Sequence, residues 1–441
     1  MKDIARALAL LVIAVIARPA LAGNLDAVFV SDQAAMMGGA VTALASDTTA
    51  IFYNPAGLAA DTSHASISLS TSSYGFSTRS SPSLLVESPS TRSSDLTTQQ
   101  LLSVPAAIAF FVPLSPRLGA GFGIFVPVAL NEWQRDAVVI ENGTTVGRAS
   151  FENRLVGTDF RIGGGVGYAL TDTLRVGAAL FATYTVAALH LDFATTQHTD
   201  EIAVASTQIS VNDEVLQLGA VATLGIQWQP RADVIIAATW FLPELEVTSQ
   251  DRLSQQASAF GPDGAVADNA FLRITSGVRS AGNSRLFFGA GYRGERLRLG
   301  LEGNFTKPSG DFVKGEVWNA RAGMQARVVE GVWLGAGLFT DRSPDRFDST
   351  SLLSRSVDFY GATFGVRLES SYLARLVRDW KGKSDANESS LVFFTALTAR
   401  YAYGTGRTAV VAIADDGTLE GRGVDVTVHE ISGQLSTGIA F

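Results

Sequence analysis

The last thirteen residues of the chain, 429–441, alternate between two kinds of side chain. Counted back from Phe441, every second residue is mostly apolar, with Ile439 and Leu435 among them, whereas the residues between them are mostly small or polar. A period of two residues is typical of a β-strand that has one apolar and one polar face. The pattern predicts either the closing strand of a membrane barrel, ending in an aromatic residue, or an ordinary edge strand.

The first residues, 1–22, are predicted to be an export signal. Lys2 and Arg6 precede an apolar run at 7–17, and the small residues before Gly23 are those that a signal peptidase selects. The run is too short for a transmembrane helix, which needs ~20 residues. No longer apolar run follows, although 46% of all residues are hydrophobic. The sequence therefore predicts an exported, unusually apolar protein without membrane-spanning helices.

Strand-length segments recur after residue 62, and short and long connections alternate between them. We predict fourteen such strands over 62–441, forming an all-β, antiparallel transmembrane β-barrel. An even number is required when both ends of a single-chain barrel lie on the periplasmic side. Tight turns such as Ser115-Pro116 are expected there, whereas long polar loops are expected outside the cell, at 75–101, 131–157, 192–213, 248–283, 307–315, 341–356 and 404–423. One long connection, 369–390, falls on the periplasmic side without an explanation.

Charged residues on these strands are expected to face the lumen, because an arginine facing lipid near the midplane costs about 2–4 kcal/mol. In the ninth predicted strand Arg298 and Glu302 alternate with leucines. By the same argument Arg161 and Arg321 are expected to face the lumen. An inward arginine can bind a carboxylate. Arg161, Arg298 and Arg321 are therefore candidates for binding a ligand carboxylate, or else they form ion pairs with Asp159 or Glu302.

Part of the predicted inward face is apolar. The candidate lumen residues are Phe181, Leu189, Phe241, Phe287, Trp333 and Phe339. A general porin lines its channel with charged groups and water, so an apolar lumen favours a hydrophobic ligand. The alternative is that these side chains pack against a plug.

The segment 23–61 does not have the period of a strand. Small apolar residues are followed by Asn54-Pro55-Ala56-Gly57, which is typical of a turn, because proline fixes its own φ and pushes the residue before it into an extended conformation. The segment is predicted to be either a plug inside the barrel or a periplasmic tail on its rim.

Several of these features together resemble the FadL family of outer-membrane transporters for long-chain fatty acids and other hydrophobic compounds. They are the export signal, the stretch 32–40 leading to Tyr53-Asn54-Pro55-Ala56-Gly57-Leu58, the fourteen strands and the terminal phenylalanine. The stretch 111–123 is also similar to that family's second strand, tight turn and third strand. The resemblance implies that 23–61 is a hatch inside the barrel, with Asn54, Pro55, Ala56 and Gly57 as its motif.

The resemblance further implies a transport route. Ligand would be captured among the extracellular loops, bound in the lumen, and released sideways into the membrane through a gap at a kink in the third strand. Val126 and Pro127 are the candidates for this lateral gate, because proline cannot donate to the strand ladder. The alternative for Pro127 is that it ends the strand at the outer rim. The other function that fits a barrel is a general or substrate-selective porin for polar solutes.

Other classes of function are not expected. The four histidines lie in no catalytic motif, so no enzyme activity is predicted. A net charge of −8 argues against a nucleic-acid partner. Cysteine is absent, and no metal or cofactor is expected. The expected partners are hydrophobic small molecules, outer-membrane lipid, and the barrel assembly machinery through the strand ending in Phe441. The barrel is expected to be a monomer in a bacterial outer membrane.

Overall fold

The structure is a computed structural model. It describes residues 28–60, 65–80, 106–142, 145–199, 202–261, 264–276, 279–280, 283–307, 315–344, 346, 355–370, 392–413 and 419–440. The predicted export signal, most of the connection 369–390 and Phe441 lie outside these residues, so the expectations for them are untested.

Two short helices, a 3-10 helix and a series of strands make up the described part. The helices are α1 (Asp32–Met36) and α2 (Asp47–Tyr53), followed by the 3-10 helix Pro55–Ala59. The strand segments are β1 (Ser66–Ser80), β2 (Ala107–Ser115), β3 (Leu118–Asn142), β4 (Thr145–Ala169), β5 (Leu174–Thr199), β6 (Ile202–Arg231), β7 (Val234–Phe241), β8 (Leu245–Gly261), β9 (Gly264–Ser276), β10 (Arg279–Ser280), β11 (Ser284–Arg293), β12 (Leu297–Lys307), β13 (Val317–Val329), β14 (Val332–Asp341), β15 (Arg355–Ser370), β16 (Val392–Ile413) and β17 (Leu419–Ala440). No helix in the described residues is long and apolar enough to cross a membrane.

These segments form one closed, antiparallel barrel of fourteen strands. β7 and β8 are successive parts of one strand, because both pair with β6. β9, β10 and β11 are parts of the next strand, since they pair with β8, β8 and β7 respectively. β1 pairs with both β2 and β17 and closes the sheet. The predicted fold class is confirmed.

The wall of the barrel has an apolar outer face. In β14, burial alternates from one residue to the next, as expected for a wall with one enclosed face. The exposed residues are large and apolar; Leu301 and Leu338, for example, are each 64% exposed. Trp228, Trp240 and Trp318 also point outward. A closed sheet satisfies its backbone hydrogen bonds internally, so a barrel with this surface is suited to span a bilayer.

Four of the predicted external loops are wrong in their secondary structure. The segments predicted as loops at 131–157, 192–213, 248–283 and 404–423 are largely strand. β5 and β6, for example, have 26 and 30 residues, whereas a bilayer needs only about 9–11 per strand. The apolar alternation that identifies a strand ends where lipid contact ends. The backbone ladder continues beyond it in residues such as Thr195 and Thr196, whose branched side chains favour strands.

Candidate functional site

The described part of the hatch, residues 28–60, lies inside the barrel against two rows of glycine. The first row consists of Gly119, Gly167, Gly177 and Gly225, which are paired in sequence across β3, β4, β5 and β6. A Cβ atom on Gly177 would overlap Pro55, and one on Gly225 would overlap the Oδ1 atom of Asn54. Only glycine leaves room for the hatch motif at this wall.

The second row lies across the strands on the other side of the hatch. Gly291, Gly300, Gly323 and Gly337 are paired in sequence across β11, β12, β13 and β14. Cβ atoms on them would overlap hatch atoms between Met37 and Leu44. The backbone of the hatch therefore lies directly on the wall on both sides.

Asn54 binds both the hatch and the wall. Its side chain is fully buried, and its Nδ2 atom donates to the carbonyl oxygens of Thr42 at 3.0 Å and Ile226 at 3.3 Å. Its Oδ1 atom accepts from the N–H of Ala56 at 3.2 Å, and Pro55 begins the 3-10 helix. This geometry needs a donor and an acceptor on one short side chain, which asparagine provides. Gly57 is also required to be small, because a Cβ atom there would overlap the carbonyl oxygen of Ala45.

Arg321 belongs to a buried network that holds the hatch. Its guanidinium lies 3.0 Å from Glu302 and donates to the carbonyl oxygen of Gly39 at 3.3 Å. Glu302 accepts from the N–H of Thr42 at 2.9 Å. The two side chains are 2% and 1% exposed. A ligand carboxylate would have to displace Glu302 to reach this arginine.

The other two arginine candidates differ from each other. Arg161 lies 3.0 Å from Asp159 and above the ring of Phe52 at 5.8 Å. Arg298 lies above the ring of Trp333 at 4.5 Å, and no ion pair joins it to another described residue. The structure does not bring Arg161, Arg298 and Arg321 into one site, and carboxylate binding by any of them stays a prediction.

Five phenylalanine rings from the hatch and the wall pack together, and we call them the aromatic cluster. Phe52 of α2 lies 5.3 Å from Phe125, 5.8 Å from Phe241 and 6.3 Å from Phe181, measured between ring centroids. Phe241 lies 5.3 Å from Phe287. The wall residues of the cluster thus contact both the hatch and one another.

The remaining apolar candidates are also buried but lie outside the aromatic cluster. Phe339 packs edge-on against Phe29 of the hatch at 5.8 Å, and Trp333 packs near Met36. Leu189 lies higher on β5 and is 3% exposed. Sequence reasoning missed Phe52 and Phe125. Their only signals were the position of Phe52 just before the hatch motif and that of Phe125 just before Val126 and Pro127.

A bulge interrupts β3 beside the aromatic cluster. Phe125, Val126 and Pro127 are buried in succession, and the pairing with β4 passes from Phe125↔Arg161 to Val128↔Asp159, so that β3 carries one extra residue. Pro127 does not end the strand, because β3 continues to Asn142. Phe125 belongs to both features, so the bulge adjoins the cluster directly.

Comparisons with known proteins show the fold. No family model and no curated protein sequence matches the chain. Among solved structures, a Pseudomonas aeruginosa FadL homologue aligns with a TM-score of 0.57 and 13% identity over 94% of this chain and 99% of that chain. The P. putida toluene transporter TodX aligns with a TM-score of 0.56 and 13% identity over 95% and 99%. The chain has the fold of the FadL-family barrels.

A third structure supports the same statement. The CymD monoaromatic hydrocarbon channel aligns with a TM-score of 0.56 and 12% identity over 93% of this chain and 97% of that chain. At such identities the likeness concerns the fold and not the ligand. The FadL-type fold, together with the apolar outer face, confirms the expected outer-membrane location.

Polar side chains of the FadL-type barrel line the inner wall above the aromatic cluster. The hydroxyl group of Thr183 donates to Glu244 at 2.5 Å, and that of Thr185 donates to Asp159 at 3.3 Å. Thr183 is the cross-strand neighbour of Arg161, and Phe181 lies two residues further down β5. The aromatic cluster is therefore the apolar floor of a lumen whose next level is polar.

A groove of about 690 Å³ lies in the barrel wall between β7 and β14. Its lining includes Phe288, Leu301 and Leu338, which are 47%, 64% and 64% exposed on the outer face. The groove thus faces lipid rather than the lumen.

Proposed function

We propose that this FadL-type barrel transports small hydrophobic molecules across the outer membrane. The observation that carries the proposal is the direct contact between the aromatic cluster and the bulge of β3, through Phe125. Burial of apolar surface is favourable by about 25 cal/mol per Å², so a floor of phenylalanine rings is sufficient to bind a hydrophobic molecule without a charged partner.

The route we propose runs from the external hairpins to the aromatic cluster and then sideways into the bilayer. The straight path to the periplasm is filled by the hatch, which lies on both glycine rows. At the level of the cluster, the extra residue in β3 breaks the regular ladder beside Phe125. Val126 and Pro127 are therefore the proposed lateral gate, and a ligand that leaves there passes from an apolar site to lipid without crossing water.

The first experiment measures binding to the purified barrel in mild detergent. A fluorescent long-chain fatty acid is titrated, with unlabelled oleate and toluene as competitors. Saturable binding that either competitor displaces supports the proposal, and the better competitor identifies the ligand class. Absence of saturable binding in a folded sample, together with sugar flux through the barrel in liposomes, would establish a porin instead.

The second experiment tests the lateral gate by deleting Pro127. The deletion removes the extra residue and leaves Val126 opposite Phe160, so the ladder from Phe125 to Val128 becomes regular. We expect ligand binding in detergent to persist and ligand uptake by cells that carry the variant in their outer membrane to fall. The matched control is Pro127→Ala, which keeps the extra residue and should keep uptake. Equal uptake by the deletion variant and its parent would refute lateral release at this place.

A further inference from the structure

Three buried polar side chains beside the aromatic cluster have no hydrogen-bond partner among the described residues. Thr223, Thr239 and Asn304 are 0%, 1% and 0% exposed. Within that part of the chain no partner is present for the hydroxyl groups of Thr223 and Thr239, or for either the Nδ2 or the Oδ1 atom of Asn304. Buried polar atoms are nearly always hydrogen-bonded in proteins, so three such groups in one part of a lumen require an explanation.

Their positions relate them to two rings of the aromatic cluster. Thr239 and Asn304 are the cross-strand neighbours of Phe287, on β7 and β12 respectively. Thr223 is the cross-strand neighbour of Phe241 on β6. Directly opposed residues in an antiparallel pair have Cβ atoms about 4.5–5.5 Å apart. The unpartnered atoms therefore lie around the pair of rings that Phe241 and Phe287 form.

Other buried polar residues of the same wall have a different role, because they bind the hatch. Gln227 donates to the carbonyl oxygens of Ala43 and Ala45 at 3.3 and 3.0 Å, and Thr363 donates to that of Met36 at 3.3 Å. Thr223, Thr239 and Asn304 make no such contact. Fixing the hatch thus does not explain why these positions are polar, and valine or leucine would fill them without leaving an unmade hydrogen bond.

We infer that Thr239 and Asn304, on the two sides of Phe287, form a hydrogen-bonding subsite for the hydroxyl group of an aromatic ligand, so that the protein carries phenols in preference to unsubstituted aromatic hydrocarbons. Thr223 lies beside Phe241 and three strands away from Asn304, too far to share the same hydroxyl group. A hydroxyl group both donates and accepts, and the amide of Asn304 offers one acceptor and donors to match. The inference rests on the proposed function, because it requires a ligand ring that packs on Phe241 and Phe287. Since Phe52 completes the aromatic cluster, its ring must move when a ligand enters.

The subsite favours a neutral ligand over a carboxylate. Two of the cations near the cluster have acidic partners: Arg161 lies 3.0 Å from Asp159, and Arg321 lies 3.0 Å from Glu302. A third, Arg285, lies above the ring of Phe287 at 4.9 Å. The three unpartnered groups themselves carry no charge. A benzoate would therefore lose the hydration of its carboxylate and gain only uncharged partners from these groups, whereas a phenol gains hydrogen bonds from groups that have none.

The test compares p-cresol, toluene and benzoate binding to the full barrel in detergent, by competition against the fluorescent long-chain fatty acid. The variants are Asn304→Leu and Thr239→Val, which remove the polar atoms and keep similar shapes. The matched control is Thr398→Val, at a buried threonine on β16 across the barrel. We expect the ratio of cresol to toluene affinity to fall about three- to tenfold in each variant, the size of one net hydrogen bond, and to stay constant in the control.

The outcomes separate the subsite from the proposed function. If toluene binds and the cresol-to-toluene ratio is the same in all proteins, the subsite is refuted and hydrophobic transport stands. If the fluorescent fatty acid binds and none of the three compounds displaces it, the subsite is refuted and hydrophobic transport stands. If neither the fatty acid nor any of the three compounds binds to the folded wild-type barrel, the proposed function itself fails. Thermal unfolding adds an independent check. Asn304→Leu should leave stability equal or higher, and a large loss of stability would mean that the amide is already bonded within the protein.

Discussion

Asp32 of the hatch and Arg367 of β15 form an ion pair in which Oδ2 and Nη1 are 2.6 Å apart. The side chains are 8% and 20% exposed, so the pair is largely enclosed. Arg367 also lies 3.0 Å from Glu369 and therefore keeps one partner if Asp32 is neutralised. We expect Asp32→Asn to reduce the free energy that holds the hatch inside the barrel by about 1–3 kcal/mol. The loss is smaller than for a buried charge left with no partner.

Hydrogen–deuterium exchange measures this effect. Exchange should become faster in 28–60 while the barrel strands keep their protection. The control is Asp358→Asn, which removes an ion pair between more exposed side chains, Arg342 at 50% and Asp358 at 31%. Such a surface pair contributes only about 0–1 kcal/mol. Equal exchange of the hatch in both variants would show that the ion pair to Arg367 does not hold it.

The glycine rows predict a sharp difference between two chemically identical substitutions. Gly225→Ala places a methyl group on the Oδ1 atom of Asn54, whereas Gly303→Ala meets nothing closer than the carbonyl oxygen of Asn319 at 4.0 Å. Gly225→Ala should therefore displace the hatch and raise single-channel conductance in planar bilayers. Gly303→Ala should conduct like the parent protein and be equally or more stable, because alanine costs less conformational entropy than glycine in a strand. Similar conductance in both variants would contradict the seating of the hatch on this row.

The sequence could predict the barrel because lipid imposes a strict pattern. Outward residues such as Leu299, Leu301 and Trp318 must be apolar, so the period of two and the inward side of Arg298 follow from the sequence alone. The external hairpins could not be predicted in this way, since no lipid acts on them. The ion pair of Arg161 with Asp159 could also be predicted from the sequence, because the two residues lie two positions apart on the same face of one strand.

The aromatic cluster depends on information that the strand pattern does not contain. Phe52 meets Phe125 and Phe241 only because the hatch enters the lumen at one particular rotation, which the glycine rows determine. Pairing of Gly177 with Gly225 requires the register of β5 and β6, and no local signal fixes it. The lack of a hydrogen-bond partner for the Asn304 amide likewise cannot be predicted from the sequence, because it depends on the positions of all neighbouring side chains.

Phe52 is predicted to occupy the place of a ligand ring. Phe52→Ala removes the hatch ring that lies within 5.3–6.3 Å of Phe125, Phe181 and Phe241. Large-to-small changes in a core cost about 3–5 kcal/mol and leave a cavity, and apolar cavities bind apolar molecules. The variant should unfold at a lower temperature, and toluene should raise that temperature more than it does in the parent.

The control for this measurement is Phe29→Ala, which removes a buried hatch ring outside the aromatic cluster, next to Phe339. It should lower stability without the same gain from toluene. If toluene stabilises both variants to the same extent, the aromatic cluster is not the preferred site for a ligand ring.

Asp47 is predicted to make the seating of the hatch depend on pH. It lies in the hatch and not in a membrane-spanning strand, and burial raises the pKa of its carboxyl group above the ordinary 3.8. The hydrogen bond from the N–H of Thr49 and the charges of Arg367 and Arg298 act in the opposite direction, whereas Asp32 adds to the increase. A raised pKa means that the folded hatch binds a proton more tightly than the unfolded one. The hatch should therefore gain stability as the pH falls from above the raised pKa toward 3.8.

Asp47→Asn tests this dependence with little other change. Asp47 has a positive φ of 54°, which asparagine tolerates. In the parent protein the N–H of Thr49 donates to the Oδ1 atom of Asp47 at 3.0 Å, and the amide of asparagine keeps an acceptor for this bond. Because the chain has no cysteine, a single Ala59→Cys substitution lets maleimide labelling report opening of the hatch. Asp47→Asn should label more slowly than its parent at pH 8, and the two rates should converge as the pH falls, since a protonated Asp47 is also uncharged. A labelling ratio that stays constant as the pH falls from 8 to the ordinary carboxyl pKa of 3.8 would show that ionisation of Asp47 does not destabilise the hatch.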